Sequence, residues 1–305
     1  MSPKDLCILV PVAPSYSWLL PVLIDCLRDF WKSHPPIVVA QAQPEDTTRD
    51  GLLCWTQILQ HGAKEAQCRG FTMAYVILEE QFPVAHCHVV HLNETLPGLM
   101  ESLPACHISL MGWDNRRHPS KSPTLGQDFY HLKHLRADRD PRYNLHPGLW
   151  RLDVLLKCCD EVLATAGPEA SAWQFERISA RSSNPSLQRH KQQCYQICAA
   201  SMALRKAPIL RRIGTALERF FYMRMIGLMP LVPGKTLREK VFRFLNVDRV
   251  FCDGPYPMVF AGVLAKGKIN PNFTSIVGKL PGGSQLLERI SSLVPEKQTY
   301  PATFL

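Results

Sequence analysis

The chain has 305 residues, 46% of them hydrophobic and 20% charged, a balance that supports a substantial core and excludes a disordered or fibrous polymer. Net charge is +9, but residues 189–249 hold 13 Lys/Arg against 3 Asp/Glu, so the basicity belongs to one segment. The 11 cysteines are scattered and form no C-x-x-C pair; this argues against a disulfide framework and for a reducing, cytoplasmic setting in which cysteine serves as a small buried hydrophobe.

In chain order, LCILVPVA (residues 6–13) reads as a buried strand of a parallel sheet. Pro11 and Pro14 interrupt it too early for a signal peptide. Ser15 and Ser17 offer N-caps for a helix over 18–31, which Pro35 and Pro36 stop. Residues 37–40 restart as a strand, giving a βαβ opening. A helix over 52–67, a strand over 73–78, a helix over 86–103 and a strand over 107–111 follow. Residues 114–128 read as a polar loop, 130–135 as a strand, 149–163 as a helix and 172–179 as a short helix. Residues 187–246 have a mostly helical pattern, with Cys194 and Cys198 on one helical face, and 250–280 are punctuated by Gly and Pro. No stretch is apolar throughout the roughly 18 to 20 residues that span a bilayer; residues 6–24 carry no charge but are interrupted by Pro11 and Pro14, and the candidate 220–232 contains Arg224.

Three clusters bear chemistry. YVILEEQF (75–82) runs an apolar strand into Glu79 and Glu80, placing acids at the carboxyl edge of a sheet, where open α/β folds bind ligands. Such a pair suits a Mg²⁺ or Mn²⁺ beside a nucleoside diphosphate; it also reads as two solvated acids capping a strand. In SAWQFE (171–176), Glu176 stands between aromatic neighbours, which suits a partly desolvated general base and equally a surface acid next to packing residues. NLHPGLWR (144–151) reads as a tight turn before a helix that presents His146 and backbone N–H groups, or simply as a helix start with Trp150 in the core.

YVILEEQF, HISLMGW, YNLHPGLWRLDVL and AWQFE, in this order, resemble motifs of bacterial glycosyltransferase-like proteins from surface-polysaccharide clusters. The opening VPVAPSY and the stretch 256–268 resemble that group's first βα unit and its tail. The resemblance covers about 5–180 and 254–280. It implies an α/β fold of GT-A type, a Rossmann-type mixed sheet flanked by helices. The donor would be a nucleoside diphosphate sugar and the acceptor a glycan or lipid-linked sugar. Glu79 and Glu80 would hold a divalent metal (Mn²⁺ or Mg²⁺) or the diphosphate, Glu176 would be the base, and His146, Trp150 and Trp173 would line the acceptor side. The pair here is Glu-Glu where the group commonly has Asp or Glu-Asp, and Ala172 stands where it has Pro. The expected organisation is a catalytic domain over 1–185, a basic helical insertion over 186–249, and a returning segment over 250–305.

Within the insertion, Ile209, Leu210, Ile213, Leu217, Phe220 and Phe221 fall in an arc of about 120° on a helical projection. That pattern fits a helix packed on the domain. It also fits an interfacial helix with Arg205, Lys206, Arg211, Arg212 and Arg219 at anionic headgroups, a peripheral location on the inner membrane face. No RNA-binding motif accompanies it, so nucleic acid is not an expected partner. The rival reading is a non-catalytic, GT-A-shaped scaffold recruited to membrane.

Overall fold

The computed structural model describes residues 5–41, 54–83, 87, 89–103, 105–110, 125–126, 131–134, 143, 145, 147–191, 193–198, 260–265, 268–270, 273–274, 277–278 and 282–294. His146 and the basic residues Arg205, Lys206, Arg211, Arg212 and Arg219 lie outside the described residues.

Seven consecutive apolar side chains make β1 (Leu6–Val12), and all seven are buried. Strand alternation divides them between two cores: Leu6, Ile8, Val10 and Val12 enter one cluster, Cys7 and Leu9 the other. A strand apolar on both faces needs cover on both. On the first face it comes from α1 (Leu20–Phe30), which buries Leu20, Val22, Leu23, Cys26 and Leu27. On the second it comes from α2 (Trp55–Cys68). Contact there is close: a Cβ added to Gly62 would stand 2.8 Å from Leu9 Cδ1.

β2 (Ile37–Gln41) and β3 (Met73–Val76) run parallel to β1 on either side of it. The chain then forms β4 (Gln81–Pro83), α3 (Leu96–Ser102), β5 (His107–Ser109), β6 (Leu125–Gly126) and β7 (His131–His134). Next come β8 (Gly148–Arg151), α4 (Leu152–Ala166), α5 (Ala172–Arg181), α6 (Pro185–Lys191) and β9 (Cys194–Cys198). The principal sheet has eight strands in the order β2-β1-β3-β8-β5-β9-β7-β6. β8 is antiparallel to both β3 and β5, while β5 and β9 are parallel. The fold is thus a mixed α/β sheet flanked by helices.

After the basic segment the chain adds β10 (Phe260–Gly262), β11 (Leu264–Ala265), β12 (Lys268–Ile269) and α7 (Gly283–Leu293). β10 pairs with β4 in antiparallel fashion, Gly262 facing Gln81. Val263, Leu264, Phe273, Val277 and Ile290 join the same core cluster as Ile8 and Val10. No helix among the described residues is long and apolar enough to cross a membrane.

Several elements differ from the sequence expectation. Residues 149–151, expected to open a helix, belong to β8: Gly148, Leu149 and Trp150 are buried between two neighbouring strands, and the helix starts only at Leu152. A short apolar run fits either geometry, and the vacancy between β3 and β5 decides it. Helix α6 ends at Lys191, and CYQIC forms β9, so Cys194 and Cys198 share a strand instead of a helical face. Ser15 and Ser17 cap nothing: Pro14–Leu19 is a 3₁₀ turn, and Ser17 Oγ donates back to the Pro14 carbonyl. Short hydroxyl side chains make such local bonds readily.

Candidate functional site at the carboxyl edge of the sheet

α1 links β1 to β2 over one face, and α2 links β2 to β3 over the other. The strand order therefore reverses at β1, and the crevice outside the carboxyl ends of β1 and β3 is the switch point at which open α/β sheets bind ligands. Glu79 spans this crevice. Its Oε1 accepts a hydrogen bond from the Ala13 N–H, 3.2 Å away, just past β1.

Leu78–Gln81 closes as a β-turn, with Gln81 N–H donating to the Leu78 carbonyl at 2.9 Å. The Gln81 side chain returns to accept from the Leu78 N–H. On leaving the turn, the chain is held by β10 and by Val263 N–H donating to the Glu80 carbonyl at 2.8 Å. Phe82 and Phe273 meet edge to face beneath it, centroids 6.2 Å apart. The turn is braced on three sides.

This bracing buries Glu79, which is 3% exposed. Desolvation pushes its carboxyl up to about 8; hydrogen bonds from its own and the Ala13 N–H oppose the shift, and the Glu80 charge adds to it. Burial also raises the Glu80 carboxyl. At neutral pH Glu79 is mainly un-ionised.

That state bears on the metal expected at Glu79 and Glu80. A hard divalent cation needs ionised oxygen ligands. Here Glu79 is buried and has one oxygen engaged by Ala13. No group of three or more His, Cys, Asp or Glu able to hold a metal occurs among the described residues. In this arrangement the Ala13 N–H occupies one Glu79 oxygen, and Glu80 is the neighbouring carboxylate.

The second half of the site comes from β8. Its antiparallel register sets Gly148 opposite Val76 and Ser109, so the chain entering β8 leaves the sheet at the edge where β3 ends. Gly148 suits this crowded point, since a Cβ there would lie 2.8 Å from His107 Nε2 and 3.1 Å from the Ile108 carbonyl. Just before the strand, Leu145 N–H donates to Glu176 Oε1 at 2.7 Å.

Glu176 projects from α5, whose start is fixed by a capping box: Ser171 Oγ accepts from Gln174 N–H, and Gln174 Oε1 accepts from Ser171 N–H. Phe175 then anchors the helix in an aromatic cluster, edge to face with Trp150 at 6.3 Å and with Trp55 at 6.4 Å. Burial raises the Glu176 carboxyl and the Leu145 bond opposes this. Glu176 is half-buried, and among the described residues Oε2 has no recorded hydrogen bond.

The two flanking aromatics separate. Phe175 is buried, while Trp173 is 81% exposed, three residues before Glu176 and so on the same side of the helix. Trp150, expected on the acceptor side, is fully buried, its ring 4.1 Å from that of His107 and stacked with Tyr143. No acceptor reaches it; it positions Phe175 and the β8 entry. Sequence reasoning missed Ala13, Leu145 and Tyr143, the last buried with its hydroxyl donating to the Leu187 carbonyl. The Ser171-x-x-Gln174 spacing was the available signal for where α5 begins.

The chain matches no protein-family model, no curated protein and no solved structure.

Proposed function

We propose that the chain is a GT-A-type glycosyltransferase that moves a sugar from a nucleoside diphosphate donor to a glycan or lipid-linked acceptor, related to the bacterial surface-polysaccharide proteins its motifs resemble. The observation that carries this reading is the surroundings of Glu176. One oxygen is fixed by Leu145 N–H, and among the described residues the other has no hydrogen bond. The group is partly desolvated behind Phe175, and an exposed indole stands one turn away. A base with a raised pKa next to an aromatic platform suits deprotonation of a sugar hydroxyl. The acidic turn stands at the same sheet edge, at the switch point where a nucleotide belongs.

In this reading the acceptor hydroxyl gives its proton to Glu176 Oε2 while its oxygen bonds to the anomeric carbon of the donor. The bond from that carbon to the diphosphate oxygen breaks, and its electron pair leaves with the nucleoside diphosphate. Glu79, un-ionised at neutral pH, adds no negative charge against the diphosphate. Trp173 stacks on the acceptor ring. The basic segment beyond β9 would attach the protein to anionic lipid.

The burial of Glu79 favours a second reading, a non-catalytic GT-A-shaped binding protein, because an acid that braces β1 against β3 explains itself without a substrate. Thermal-shift measurements with UDP-, GDP- and dTDP-linked sugars, each with Mn²⁺ and with EDTA, separate the two, since a ligand that binds only the folded state raises Tm. A rise with one nucleotide sugar, weakened by Glu80→Ala, supports the enzyme. No rise with any of them supports the second reading.

A further inference from the structure

The proposed chemistry leaves unused a group of sulfur atoms in the core cluster shared with α4 and α6. Cys106 lies in the bend before β5, and Cys194 opens the parallel neighbour β9. Their Sγ atoms are 3.5 Å apart, close to van der Waals contact. Both thiols point at one acceptor, the His190 carbonyl at the end of α6, with Sγ–O distances of 3.2 Å for Cys106 and 3.7 Å for Cys194. The backbone holds the pair from both strands: Cys106 N–H donates to the Gln193 carbonyl at 2.9 Å, and His107 is in register with Cys194. Both residues are buried, so neither thiol is oxidised by chance collision with large reagents. A third thiol, Cys158 of α4, lies close by; burial holds it well above the usual thiol range, and Ser179 and the Lys191 ammonium oppose this.

We propose that Cys106 and Cys194 form a reversible disulfide, with hydrogen peroxide as the oxidant. One thiol loses its proton and its thiolate attacks the peroxide O–O bond, giving a sulfenic acid and hydroxide, which takes up that proton to become water. The second sulfur attacks the sulfenic sulfur, the S–S bond forms, and the sulfenic oxygen leaves as water with the second thiol's proton. Two thiols thus lose two electrons and one peroxide becomes two waters. The sulfurs must approach by about 1.5 Å to reach disulfide length, within the reach of side-chain rotation because they already stand 3.5 Å apart, Cys106 being one residue before His107, the register partner of Cys194. The bond closes an 88-residue separation and locks β9 to the chain entering β5. Cys158 stays a thiol. The inference does not depend on sugar transfer.

The test uses the whole chain. Native protein is treated with hydrogen peroxide, quenched, alkylated in denaturant, and mapped by mass spectrometry without reduction. A linked peptide containing Cys106 and Cys194, two hydrogens lighter, reversed by dithiothreitol and accompanied by a Tm rise of about 10 °C, is the expected result. The same linkage should persist in Cys158→Ala and vanish in Cys106→Ser and in Cys194→Ser. Mapping on the wild-type chain does not depend on how the variants fold. Recovery of Cys106 and Cys194 as free thiols while exposed Cys68 is oxidised, or linkage only after addition of urea, overturns the proposal.

Discussion

The β1–β3 corner and the β8–α5 corner each bring a glutamate to the carboxyl edge, and each glutamate accepts a backbone N–H from a distant residue, from Ala13 at 3.2 Å and from Leu145 at 2.7 Å. The likeness ends there. Glu79 is enclosed by a turn, two short paired strands and an aromatic contact, and its carboxyl rises to about 8. Glu176 has a buried aromatic on one side and solvent on the other, and burial raises it with no such enclosure. Two carboxyls with the same hydrogen-bond partner type therefore differ through exclusion of water, which sets whether an acid braces the fold or exchanges protons.

The largest expected effect breaks the comparison at Glu176. Glu176→Gln retains an acceptor for Leu145 N–H but no base, so the rate of sugar transfer should fall about 10²- to 10⁴-fold, with an unchanged far-UV spectrum. Unaltered turnover would remove Glu176 from the chemistry. At Glu79 the expected effect is on stability and its pH dependence. The folded state keeps the Glu79 proton up to about pH 8, while the unfolded chain releases it near 4.5. The contribution of this group is therefore complete below about 4.5 and is lost as pH rises through 8. Urea midpoints should fall between pH 5 and pH 8.5, and Glu79→Gln should flatten that slope; equal slopes in both proteins would show the carboxyl to be ionised in place.

A smaller effect sharpens the role of the β8 entry. Gly148→Ala forces a methyl group against His107 and the Ile108 carbonyl, and should cost about 1–3 kcal/mol in urea unfolding. A neutral result would mean that β8 has room at its first residue. The smallest is at Trp173, where replacement by Ala should leave stability within about 0.5 kcal/mol and raise the acceptor KM several-fold with little change in kcat. A stability loss instead would make Trp173 a packing residue.

The opening of the fold was legible in the sequence because β1 and β3 are buried on both faces and read as unbroken apolar runs, while β2 alternates half-buried and buried residues. GLWR misled for the same reason: three apolar residues before Arg151 carry no period, and only the neighbours at β3 and β5 make them a strand. The sequence marked Glu79 and Glu176 as candidates but could not rank their burial, since the partner of Glu79, Ala13, and the groups that brace its turn, Val263 and Phe273, come from distant parts of the chain. Trp173 and Phe175 looked equivalent in SAWQFE, yet their 200° separation on a helix sends one outward and one inward.

Pairing of β4 with β10 joins Gln81 to Gly262, across more than half of the chain. Closing so long a loop is entropically slow, whereas β1, α1, β2, α2 and β3 meet over short separations. As the ribosome delivers the chain, the β1–β3 half can be assembled while the acidic turn still has its edge unpaired and Phe82 lacks Phe273. The turn that carries Glu79 and Glu80 is thus finished last, and a chain cut short before residue 260 would keep its central strands yet never complete that corner.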